Sequence, residues 1–210
     1  MSLEFSNKRA KFRYEKILQS GLDLFLEKGY KNTSLNDIVK KSGGSFATIY
    51  KFFKNKEGLF RAIISESVDK INQKLQQEIN INKNLNLEDF LFIFSEIYLN
   101  VMFRKNTILF HKLILSEGFN SYNIAIGRSF VNDTAIFLNK YLVDFFKKDK
   151  FMSKFEEHEL SQYAFNFTFL IKEPYFFEAI FFDKDIKITK EEQILHIKRS
   201  IKVFLNGILS

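Results

Sequence analysis

The 210-residue sequence predicts an all-α protein, and three observations carry that reading. Apolar residues recur at steps of three and four almost throughout. The two-residue alternation of half-buried strands is missing. One proline and eight glycines leave few places to break a helix. The expected organisation is a small three-helix N-terminal unit over residues 1–55 and a larger helical unit over 56–210.

The elements follow in order. A first helix is expected over about 8–28, with Ile17, Leu18, Leu22 and Phe25 inward and Gly29 as its stop. Ser34 can cap a short second helix, with Asp37 three residues on as the acidic partner of a capping box. Ile38 and Val39 give it an apolar side, and Lys40, Lys41 and Ser42 close it before Gly43 and Gly44. A third segment, 45–53, has Ser45 as candidate N-cap and Ile49 and Phe53 inward. Phe46, Ala47, Thr48, Tyr50 and Lys51 face outward. Two short helices around a tight glycine turn, the second presenting small, hydroxyl and basic side chains, form a helix-turn-helix.

Asn55 then caps a long helix carrying Leu59, Phe60, Ile63, Ile64, Val68, Ile71 and Leu75. Residues 80–86 read as a polar loop. Further helices are expected over about 87–104, 106–117, 122–148, 156–182 and 190–208, with Pro174 kinking or breaking the fourth of these. Of the 27 phenylalanines, 20 lie after residue 60, more aromatic surface than a bundle of this size needs.

Charge is segregated. Residues 1–56 hold 12 Lys and Arg against 5 Asp and Glu, which accounts for the whole net charge of +7. The remaining 154 residues carry 20 of each sign. Such a footprint, coinciding with a helix-turn-helix, points to nucleic acid. Zero cysteine excludes disulfides and thiolate metal sites and fits a reducing compartment. No signal pattern opens the chain and charges interrupt every apolar run, so a cytoplasmic protein without a membrane span is expected. His111, His158 and His196 are scattered, and neither a phosphate loop nor a nucleophile elbow is legible. No cofactor, metal or catalytic residue is expected, and the chain does not read as an enzyme.

A resemblance sharpens this. Leu24-Phe25, Lys28-Gly29-Tyr30, Thr33-Ser34-Leu35, Ile38, Gly43, Ile49-Tyr50, Phe53-Lys54 and Lys56-Glu57-Gly58-Leu59-Phe60 are similar to the N-terminal domain of TetR-family transcriptional regulators. Lys172-Glu173-Pro174-Tyr175 and Val203-Phe204-Leu205-Asn206-Gly207-Ile208 resemble a narrower group, the repressors of multidrug efflux pumps in Campylobacter and its relatives. The resemblance implies an N-terminal DNA-binding domain and a C-terminal ligand-binding and dimerisation domain. It also implies a homodimeric repressor of an efflux or detoxification operon, released by a bulky amphipathic or hydrophobic molecule.

Site residues follow from it. The second short helix would enter the major groove of an operator, with Phe46 and Ala47 facing base edges. Being apolar, they can touch a thymine methyl but cannot make paired hydrogen bonds to a base. Thr48, Tyr50, Lys51 and Lys56 reach phosphates, Ser34 and Asn36 approach the DNA backbone from the preceding helix, and Ser45 lies beside them. Lys8, Arg9, Lys11 and Arg13 form an arm toward the adjacent groove. Gly44 stands where the family usually has a β-branched residue that pins the turn, so a loosely held recognition helix is expected.

In the second domain Tyr98, Met102, Phe110, Phe137, Phe165, Thr168, Phe169 and Phe176 are candidates to line an apolar ligand cavity. Lys172 in their midst offers a cation to an anionic ligand head, or pairs with an acid of the protein. Ile194, Ile197, Ile201, Phe204 and Ile208 form a seam suited to a helix–helix interface, expected to join two subunits through the last two long helices. The rival reading is a cytoplasmic binder of lipids or other amphipaths whose helix-turn-helix has lost useful DNA readout.

Overall fold

The computed structural model describes residues 7–81, 85–118 and 136–209, with no strand among them. These residues divide into two compact units. The first comprises 7–67 and 112–118; the second comprises 68–81, 85–111 and 136–209.

The first unit contains α1 (Lys8–Asn32), α2 (Leu35–Ser42), α3 (Phe46–Phe53) and the start of α4 (Lys56–Ile81). Asn7 caps α1 by accepting the Ala10 N–H at 2.9 Å. Gly29 adopts φ 80° and interrupts α1 where the sequence places its stop. The disturbed carbonyls are not left bare: the Thr33 hydroxyl donates to Gly29 O at 2.8 Å and Leu24 O at 3.1 Å. α1 and α4 approach closely at Gly21, where a Cβ would come within 2.9 Å of a Leu59 methyl. Phe25, Tyr30 and Phe60 meet as a trio with ring centroids 5.2–5.4 Å apart. That aromatic cluster, with Ile17, Ile38, Ile49 and Leu59, is the core that orients the helix-turn-helix.

The second unit holds α5 (Leu87–Met102), the first half of α6 (Lys105–Gly118), α7 (Ile136–Phe146), a 3-10 turn (Met152–Lys154), α8 (Glu157–Lys172), α9 (Tyr175–Phe181) and α10 (Lys190–Leu209). α8 is its centre and packs on α5, α7 and α10. Phe94 and Phe204 both meet Phe167, and Phe90 stacks on Phe145 at 3.6 Å. The helix expected from residue 122 is seen here only as α7; residues 119–135 lie outside the described ones.

The single helix expected over 156–182 is two. Proline lacks an amide hydrogen and its ring obstructs the preceding turn, so α8 ends at Lys172 and α9 restarts after Pro174. Two side chains tend the break. The His196 imidazole donates from Nε2 to the Ile171 carbonyl at 2.8 Å, and the Glu173 carboxylate accepts the Phe177 N–H at 2.7 Å. Among the described residues, no helix is long and apolar enough to cross a membrane.

The α10 seam differs from expectation. Ile197, Ile201 and Phe204 are buried in the core of their own unit, and Ile194 and Ile208 are half-buried. The three-and-four spacing marks a face that must pack, and α5 and α8 already supply the partner. On the other side of α10, Leu195 and Val203 are exposed.

Candidate functional site

The helix-turn-helix is built by local capping. Ser34 Oγ accepts the Asp37 N–H at 3.1 Å while the Asp37 carboxylate accepts the Ser34 N–H at 3.0 Å, completing the capping box. Those bonds from Ser34, aided by Lys28 and Lys40, hold the Asp37 carboxyl below the usual aspartate range. Gly43 ends α2 in the left-handed conformation (φ 65°), which favours glycine because a Cβ would be strained there. Gly44 does not lie in that region. A Cβ on it would sit 3.2 Å from Ser42 Oγ and 3.8 Å from Ile17, which is the pinning contact that glycine forgoes.

α3 buries Ile49 and Phe53 and turns its remaining side outward. Phe46 is 43% and Tyr50 54% exposed, and Ser34, Asn36, Ser45, Ala47 and Lys51 are exposed with them. Thr48 is half-buried, its hydroxyl 3.0 Å from that of Ser45, which also accepts the Thr48 N–H. Lys8, Arg9, Lys11 and Arg13 are exposed along the start of α1.

Lys56 departs from expectation. Its ammonium does not stand free for a phosphate; it donates to the carbonyls of Tyr30 at 2.9 Å, Thr33 at 3.0 Å and Lys31 at 3.4 Å. It also lies 4.4 Å from the centre of the Tyr30 ring. The turn after Gly29 exposes carbonyls at the end of α1, and the nearest cation collects them. The N-terminus of α4 is capped instead by Asn55, which accepts the Gly58 N–H at 2.7 Å.

In the second unit Tyr98, Met102, Phe110, Thr168 and Phe176 are buried, and Tyr98, Met102 and Phe176 belong to its hydrophobic core. The Phe137 side chain lies outside the described residues. Phe165 and Phe169 are a correction: they are 49% and 51% exposed and face away from the core. Leu160, Ala164, Phe167 and Ile171 take the inner face of α8, and helical geometry then turns positions 165 and 169 outward. With Asn166, Leu170, Glu173 and Pro174 they line an open depression of about 560 Å³ on that outer side. Thr168 donates its hydroxyl to the Phe165 carbonyl at 2.8 Å.

Lys172 is paired with an acid of its own chain. Its side chain is 12% exposed, its ammonium 2.7 Å from Glu173 Oε1 and 3.5 Å from the Phe169 ring centre, with Phe176 at 5.5 Å. His111 meets the edge of Phe176 at 4.9 Å, and its Nδ1 hydrogen goes to the Thr107 carbonyl at 2.7 Å. Burial, reinforced by the Lys172 charge, pushes the His111 pKa down to about 4. Burial also pushes the Tyr98 phenol up, with the negative charge of Glu173 adding to it.

Sequence reasoning passed over His111, His196 and Thr33. Neither histidine belongs to a motif, and Thr33 and His196 act on carbonyls beside a helix break, whereas His111 bonds the carbonyl one turn back within α6. Among the described residues, no group of three or more histidines and carboxylates is disposed to hold a metal.

Residues 17–63 match the sequence profile of the bacterial regulatory proteins of the tetR family. The HTH-type transcriptional repressor ComR of Escherichia coli is 37% identical over 68 residues, which is 32% of each chain. The HTH-type transcriptional regulator QacR of Staphylococcus aureus is 34% identical over 85 residues, 40% of this chain and 44% of that one. The match therefore spans less than half the length of these relatives. A TetR-family regulator structure from Mesorhizobium loti superposes with a TM-score of 0.79 at 20% identity, covering 96% of this chain and 98% of that one. Residues 17–63 thus resemble the tetR-family regulators by sequence, and the helical fold that carries them is shared with that solved structure.

Proposed function

We propose that this protein is a ligand-responsive transcriptional regulator that binds operator DNA as a homodimer and represses transcription until a small molecule releases it. The observation that carries the reading is the outward side of α3, held up by a doubly capped helix-turn-helix in the part of the chain that holds the entire net positive charge. In this reading α3 enters the major groove, Ser34, Asn36, Ser45, Thr48, Tyr50 and Lys51 adjust it on the backbone, and the start of α1 supplies further cations.

Two recognition helices must meet successive major grooves, which calls for a two-fold dimer. The surface we assign to it is the outer side of α8 and α10, where Phe165, Phe169, Leu195 and Val203 are exposed. The ligand we assign is a bulky hydrophobic or amphipathic molecule, with an acidic head suited to Lys172. Tyr98, Met102, Phe110 and Phe176 supply the apolar wall. Control of an efflux or detoxification operon rests on the resemblance of residues 172–175 and 203–208. A coupling of about 1–3 kcal/mol between ligand and DNA would weaken operator binding roughly 5–150-fold.

The test is fluorescence anisotropy of the full-length protein on labelled DNA from its own upstream region against a scrambled duplex, across a salt series. Preferential binding that falls log-linearly with salt supports the reading. Binding no better than to the scrambled duplex at every salt concentration favours an amphipath binder without DNA readout.

A further inference from the structure

The outward side of α3 is short of hydrogen-bonding groups. Residues 42–54 include no arginine, asparagine, glutamine, histidine or acidic residue. Most of the hydroxyls present are already engaged. Ser42 is buried and bonds the Val39 carbonyl, while Ser45 and Thr48 pair with each other at 3.0 Å in the N-cap of α3. Apart from the Lys51 ammonium and the Tyr50 hydroxyl, what stands out from the helix is apolar: the Phe46 ring, the Ala47 methyl and, one turn on, the Tyr50 ring. Phe46 and Tyr50, four residues apart, share one side of the helix.

Single exposed aromatics are ordinary on a protein surface. Their setting here says what covers them. Lys40, Lys41, Lys51 and Lys54 are exposed on and around the two helices, and the Lys16 ammonium lies 3.8 Å from the Cβ position of Gly43 at the turn. Apolar groups set among cations fit a polyanion that carries apolar groups between its charges. Duplex DNA has that pattern, because thymine C5 methyls line the major groove between two rows of phosphates.

We infer that α3 reads its operator through thymine methyl groups, with Phe46 and Ala47 packed against them, so that each half-site is A·T-rich and recognition depends on the methyls. This rests on the DNA-binding reading above. Removing one such methyl from the interface should cost about fourfold in affinity, the equivalent of one buried carbon.

The full-length protein would be used to enrich duplexes from a random pool. In the enriched site each thymine would then be replaced by deoxyuridine, which lacks only the methyl. Each thymine would also be replaced by cytosine or 5-methylcytosine, with guanine opposite. The expected result is an A·T-rich site in which deoxyuridine weakens binding about fourfold at two or three positions per half-site. At those positions 5-methylcytosine should bind better than cytosine. Phe46→Ala should erase the difference between thymine and deoxyuridine at the positions under the ring while leaving the salt dependence unchanged. An enriched site indifferent to deoxyuridine throughout, or one whose essential pairs are G·C, overturns the methyl readout and leaves the DNA-binding reading standing. Enrichment of no sequence at all overturns both.

Discussion

The Lys56 ammonium and the Tyr30 carbonyl lie 2.9 Å apart, so the first residue of α4 is tied to the turn that ends α1. The same ammonium reaches the Thr33 carbonyl at 3.0 Å and the face of the Tyr30 ring. One cation thereby adds a donor to the carbonyls that follow the break at Gly29, Tyr30 O also accepting the Thr33 N–H. Lys56→Met should lower stability by about 1.5–3 kcal/mol, as for loss of charge-assisted hydrogen bonds, read as a lower urea midpoint. Unchanged stability with a salt slope of DNA binding reduced by about one would instead make Lys56 a phosphate ligand.

Gly58 is irreplaceable for a steric reason. A Cβ there would lie 1.9 Å from the Phe53 carbonyl oxygen, which is backbone and cannot swing aside. Gly58→Ala should cost about 3 kcal/mol or more, or prevent folding of the first unit, measured by thermal melting. A melting temperature equal to wild type would contradict the packing of α3 against α4.

Gly44 should behave in the opposite way. Its backbone does not need glycine, and an added methyl would touch Ile17 and Ser42. Gly44→Ala should raise stability by about 0.4–1 kcal/mol by narrowing the unfolded ensemble. Hydrogen exchange across 45–53 should slow with it. Faster exchange in that segment would mean the 3.2 Å approach to Ser42 is a clash.

Glu173 neutralises the ammonium of Lys172 and caps α9 with its other oxygen. Glu173→Gln would leave a largely buried cation without its counter-ion and should cost about 3 kcal/mol. Adding Lys172→Met to it should restore most of the loss. Additive losses in the double variant would show that the pair is not coupled.

His111 makes stability depend on pH. Its folded pKa, about 4, lies below the 6.5 of the free side chain, so the unfolded chain binds the proton more readily. Stability from this group is therefore complete above pH 6.5 and declines as pH falls from 6.5 toward 4, by up to about 1.4 kcal/mol per unit. Denaturant titrations at pH 7 and 4.5 should show the decline, and His111→Leu should flatten it. An imidazole that titrates near 6.5 by NMR would remove the effect.

The outer side of α8 and α10 can be tested by charge. Phe165→Glu and Val203→Glu alter exposed positions and should leave the fold intact. In the proposed dimer each should shift sedimentation toward the monomer, because a carboxylate would have to be buried. Wild-type sedimentation in both variants would place the interface elsewhere.

Much of the first unit was legible because its signals are local. Ser34 and Asp37, Gly43, Ser45, Asn55 and the stop at Gly29 act on neighbours three or four residues away, and caps of that kind are written in spacing. The engagement of Lys56 was not legible because the carbonyls it collects lie 23 to 26 residues back in the chain. In the second unit, periodicity located helices but could not say which side of each met the core. Phe165 and Phe169 lie outward and Ile197, Ile201 and Phe204 inward, the reverse of expectation, because apolar spacing marks a face that packs without naming the helix it packs against.

By itself the sequence determined the helical class, the helix-turn-helix with its caps, the concentration of positive charge and the break at Pro174. Each depends on residue type and short spacing, which survive without tertiary contacts. Only the tertiary structure decided where Lys56, Lys172 and His196 direct their polar atoms, and which aromatics are core and which are surface. The physical reason is shared: a buried donor or ring is assigned by whichever carbonyl, carboxylate or helix the fold brings beside it.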